Sequence, residues 1–66
     1  MPKNGRLGDL LRYKNEAYTL QTRLYDLTDV MEMGGMHGTV ALVGVRSAIA
    51  DLNNTISDLT QRIHAI

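Results

Sequence analysis

Sixty-six residues, seven basic side chains against seven acidic ones, and no cysteine set narrow limits on this chain. They exclude a disulfide scaffold, and no Cys/His spacing marks a structural metal. A chain this short buries a smaller fraction of its surface than a larger domain does, so the support expected for it is oligomerisation.

In chain order, Pro2, Asn4-Gly5 and Gly8 interrupt helical sequence, and residues 1–8 are expected to form a short irregular arm. Asp9 is the expected N-cap of a first helix over about 10–33, since its carboxylate can accept the free amides of a first turn. Leu10, Tyr13, Ala17, Leu20, Leu24, Leu27 and Met31 alternate steps of three and four along that helix, the apolar seam of a coiled coil. Leu11, Tyr18 and Tyr25 add a stripe one position further round, a wider apolar face than a two-stranded seam requires.

Met33-Gly34-Gly35-Met36-His37-Gly38-Thr39 is too rich in glycine to continue a helix and short enough to reverse the chain. Thr39 is the expected N-cap of a second helix over about 40–65. Its seam runs through Leu42, Val45, Ile49, Leu52, Ile56, Leu59, Ile63 and Ile66. Ala41, Gly44, Ala48 and Ala50 lie beside it. A glycine inside a helix costs about 1 kcal/mol relative to alanine, so a close approach at Gly44 is expected, either a tight helix crossing or a ligand. Two seams and one turn predict a single all-α domain over residues 1–66. It is an antiparallel two-helix hairpin that assembles into a homo-oligomeric helical bundle.

Catalysis finds little support. His37 and His64 are the neutral-pH bases, Ser47 and Ser57 have no histidine near them in sequence, and the carboxylates have the spacing of solvated helix faces. The chain is therefore expected to be no enzyme and to carry no cofactor. Met31, Met33, Met36 and His37 are soft or borderline ligand types able to hold Cu(I). Methionine also fills irregular space at a bundle end, the reading preferred here. The glycines before Thr39 offer amides to an anion, but the lysine of a phosphate-binding loop is absent and a plain turn accounts for them.

Charge is unevenly placed. Lys3, Arg6, Arg12 and Lys14 oppose Asp9 over residues 1–14, a net +3. Glu16, Asp26, Asp29 and Glu32 oppose Arg23 over residues 15–32, a net −3. Basic residues beside the Tyr13 ring suit a phosphate with a stacked base. Arg46-Ser47 on the second helix could add a phosphate contact from another copy. Lys3, Arg6, Arg12, Tyr13, Lys14, Arg46 and Ser47 are thus the candidate ligand-binding residues, and an anionic small ligand is the expected guest.

Leu10-Leu11-Arg12-Tyr13-Lys14 through Leu20, Leu24 and Leu27, with Val43-Gly44-Val45-Arg46-Ser47, resembles the phage anti-CBASS cyclic-nucleotide sponges, small two-helix proteins that oligomerise and sequester signalling nucleotides. That resemblance implies phosphate contacts from Lys14, Arg46 and Ser47, and a cyclic nucleotide as ligand. The family's aromatic residue early in the second helix has no counterpart here. In size and hairpin plan the chain is also similar to the plasmid copy-number regulator Rop, a dimeric RNA-binding four-helix bundle. The basic residues here gather at one end rather than along a helix face, which argues against a nucleic-acid surface. A third reading is a scaffold that binds a protein partner through its bundle. Met1 to Arg6 leads into polar sequence, so no secretory leader is expected. Arg46 interrupts the apolar Val40–Val45 run, so no membrane span is expected either. The compartment expected is the cytoplasm, of a bacterial or host cell.

Overall fold

The computed structural model describes the backbone of residues 2–66 and the side chains of residues 6–66. Two helices, α1 (Pro2–Met33) and α2 (Val40–His64), pack against each other as an antiparallel hairpin 51 Å long and 15 by 13 Å across. Among the described residues there is no strand, and no helix is long and apolar enough to cross a membrane.

The turn follows from its residues. Gly35, at φ 81°, ends α1 in the left-handed region that glycine enters without a steric penalty. Its amide donates to the Glu32 carbonyl at 3.0 Å, and that of Met36 to the Met31 carbonyl at 3.0 Å. This pair of bonds is the Schellman closure of a helix C-terminus. Gly38, at φ 75°, then turns the chain toward Thr39, whose Oγ1 accepts from the Leu42 amide at 3.2 Å and donates to the Met36 carbonyl at 2.8 Å. Thr39 is thus the N-cap of α2, as its position in the sequence predicts.

The core lies where the α2 seam meets α1. Leu42 is 2% exposed, and Ile49 and Ile56 are buried, with Val45, Leu52, Leu59 and Ile63 half-buried between them. The α2 seam holds over that length and opens at Ile66, past the last helical residue.

Two expectations for α1 need correction. The helix does not begin near Leu10 behind an irregular arm: it runs from Pro2, with Gly8 inside it, and Asp9 is a mid-helix residue that accepts from Arg12 at 3.3 Å rather than a cap. Continuing the helix half-buries Leu7 as well as Leu10. That packing offsets the roughly 1 kcal/mol that a helical glycine costs. Proline is compatible with a first helical turn, where its missing amide hydrogen has no partner to lose.

The second correction concerns register. The residues that α1 turns toward α2 are Leu7, Leu10, Lys14, Ala17, Gln21, Leu24, Thr28 and Met31, all half-buried or buried. Four members of the expected seam are among them. Tyr13, Leu20 and Leu27 are not: they are 47%, 48% and 43% exposed. In their place stand three polar residues, Lys14, Gln21 and Thr28. The Lys14 stem can lie along apolar surface while its ammonium reaches water. Gln21 donates to Asn53 across the hairpin, and Thr28 donates to the Leu24 carbonyl at 2.9 Å.

Candidate functional site

The candidate ligand residues divide into an open-end group on α1 and a group on α2 nearer the turn. At the open end, Arg12 lies 5.5 Å from the centroid of the Tyr13 ring, a cation–π distance, while one of its nitrogens donates to Asp9. Lys14 points elsewhere, into the α1–α2 junction. Consecutive helical positions turn by about 100°, so Arg12, Tyr13 and Lys14 do not form one patch. Arg6 and, from the other helix, Arg62 line a groove of about 280 Å³ with Leu10, Ala65 and Ile66. Arg62 also donates from Nε to Asp58 Oδ2 at 2.6 Å; this bond and the carboxylate charge raise its pKa above the ordinary arginine value. Lys3 lies outside the residues whose side chains are described.

Arg46 is held by a contact that sequence reasoning did not foresee. Its Nη2 donates to Glu32 Oε2 at 2.6 Å, and His37 Nδ1 stands 4.0 Å from the same oxygen. Ser47 is exposed beside it. Glu32 is eighteen residues along α1 from Lys14, about 27 Å at 1.5 Å per residue. One protomer therefore does not bring Lys14 and Arg46 to a common phosphate. Finding the Glu32–Arg46 pair in advance would have needed the register of the two helices across the turn.

Around the turn, Met31 and Met36 are half-buried, whereas Met33 is 89% exposed and His37 is exposed as well. The soft ligand types thus split between hairpin and solvent. Thr39 Oγ1 occupies the amide position at the head of α2 that an anion would take. A Cβ built on Gly44 would meet nothing within 4 Å, so the close approach expected there does not come from within the hairpin.

The hairpin also leaves apolar side chains uncovered. In an antiparallel pair, matching flanks of the two helices meet on each side of the seam. One flank carries Glu32 with Arg46 and Gln21 with Asn53. Arg6 and Arg62 mark the opposite flank, and the residues seven apart from them are Tyr13, Leu20 and Leu27 on α1 and Thr55, Ala48 and Ala41 on α2. Comparison with protein-family models, with curated proteins and with solved structures gave no match.

Proposed function

We propose that the chain is a non-enzymatic binding protein whose working form is a homo-oligomeric bundle of hairpins. The exposed line Tyr13, Leu20 and Leu27 carries this reading. These residues belong to the most regular apolar seam of α1, yet within one hairpin they have no helix over them. Such a stripe on a chain with so small a core calls for further helices.

The ligand we propose is an anionic small molecule, a cyclic nucleotide being the candidate, held where copies meet. Arg12 with the Tyr13 ring, Lys14, and the Arg46-Ser47 pair are the groups that would receive it, the two ends coming from different protomers. A cytoplasmic site of action goes with this reading. A protein-binding scaffold is the second reading, supported by the exposed Leu11, Tyr18 and Tyr25 on the Glu32–Arg46 side. An RNA surface of the Rop kind is disfavoured, because the basic residues gather toward one end of α1 and do not line a helix face.

A thermal-shift screen against cyclic di- and trinucleotides and structured RNA tests the ligand. Ligand at 100 times its Kd should add about 2.7 kcal/mol. Lys14→Ala and Arg46→Ala should each reduce a shift given by a cyclic nucleotide. The absence of any shift, or a shift both variants leave unchanged, would hand the chain to the scaffold reading.

A further inference from the structure

We infer that the second copy docks on α1 itself, antiparallel to it, about a two-fold axis that passes beside Leu20. This rests on the self-association proposed above and assigns it a surface, an orientation and a register.

The surface follows from the mismatch between the two helices. Leu10, Ala17, Leu24 and Met31 face α2, while Tyr13, Leu20 and Leu27 stand on the flank marked by Arg6 and Arg62. On the same flank α2 offers Ala41, Gly44 and Ala48, small residues that leave room for another helix, with open space at Gly44. The other flank also exposes Leu11, Tyr18 and Tyr25. There, however, α2 contributes Arg46 and Asn53, already engaged by Glu32 and Gln21. Tyrosine rings on that side can also remain half-wet through their hydroxyls.

Charge sets the orientation. Residues 6–14 of α1 carry Arg6, Arg12 and Lys14 against Asp9, and residues 15–32 carry Glu16, Asp26, Asp29 and Glu32 against Arg23. Antiparallel pairing sets the basic end of each α1 along the acidic half of the other. A parallel pairing would set like charges side by side. An isologous two-fold contact matches a patch with itself, so residues on the interface must be symmetric about its centre. Tyr13 and Leu27 stand seven residues either side of Leu20. A depression of about 380 Å³ around Leu20 is lined by Glu16, Thr19 and Arg23. With the axis beside Leu20, Glu16 of each copy falls within one residue's rise, about 1.5 Å, of Arg23 of the other, close enough for two cross-chain ion pairs around a leucine pair. The same arrangement carries the Arg12-Tyr13 end of one hairpin toward the turn end of its partner, on the flank opposite that partner's Glu32–Arg46 pair.

The absence of cysteine makes the register open to a direct test. Full-length chains carrying Leu20→Cys or Tyr18→Cys would be oxidised with diamide at micromolar concentration and run without reductant, alongside sedimentation equilibrium of the wild type. An equimolar mixture of Glu16→Cys and Arg23→Cys chains would be treated in the same way. The inference expects a disulfide-linked dimer in high yield from Leu20→Cys, little from Tyr18→Cys, and more from the mixture than from either chain alone. A wild type that sediments as an oligomer while Tyr18→Cys, and not Leu20→Cys, cross-links would overturn this interface and leave self-association standing. A monomeric wild type would overturn both.

Discussion

The two helices of this hairpin use their apolar residues in opposite ways. On α2 the apolar seam and the packed seam coincide: Leu42, Ile49 and Ile56 are buried against α1, and the outward side chains beside them are mostly small or polar. On α1 the strongest apolar line and the packed line share Leu10, Ala17, Leu24 and Met31 and then part, leaving Tyr13, Leu20 and Leu27 outside and Lys14, Gln21 and Thr28 inside. A helix with one partner needs one stripe. A helix with two partners needs an apolar arc wider than either can cover. The comparison shows α2 holding the hairpin together, and it is the basis for proposing α1 as the helix that joins hairpins.

The substitution with the largest expected effect breaks the α2 side of the comparison. Ile56→Asp sets a carboxylate, with no partner, at a position only 8% exposed. Removing that charge from water should cost several kcal/mol, enough to unfold a chain this small. Circular dichroism should show the helix lost; full helicity retained would mean the α2 seam faces solvent.

A smaller effect is expected at the turn, which both helices share. Thr39→Ala removes the acceptor for the Leu42 amide and the donor to the Met36 carbonyl, and should cost about 1 kcal/mol in thermal or urea unfolding. An unchanged midpoint would show that the cap contributes nothing to the hairpin. Least of all should follow from Glu32→Gln, which weakens the pair with Arg46. The Arg46 side of that pair is exposed, the Glu32 side chain is one-third exposed, and one carboxylate oxygen carries the bond, so the change in stability should stay below about 1 kcal/mol. A loss of several kcal/mol there would mean that polar contacts across the hairpin, rather than the α2 seam, hold the two helices in register.

What was legible in the sequence follows the range of the forces involved. Gly35 and Thr39 act through bonds to residues within a few positions, so the end of α1, the turn and the start of α2 could be read locally. The α2 seam was legible because isoleucine and leucine occupy it without competition. The start of α1 was not: Gly5 and Gly8 argue locally against a helix, and the half-burial of Leu7 and Leu10 in the hairpin outweighs them. Nor was the register of α1, since hydropathy ranks Leu20 above Gln21 while the hairpin half-buries the glutamine that Asn53 can satisfy. Of the candidate site, the Arg12–Tyr13 contact between sequence neighbours could be anticipated. The Glu32 carboxylate that holds Arg46 lies across the turn and could not.

The claim that α1 is the joining helix stands or falls on sedimentation equilibrium of the wild type and of Leu20→Asp at micromolar concentration, each checked for helicity. Leu20 is 48% exposed in the hairpin, so its replacement leaves the α1–α2 core untouched. The account predicts a wild-type dimer or larger assembly, and a Leu20→Asp chain that dissociates well before it loses its helices. A wild type that is a stable folded monomer, or a Leu20→Asp chain that associates as strongly as the wild type, would contradict it.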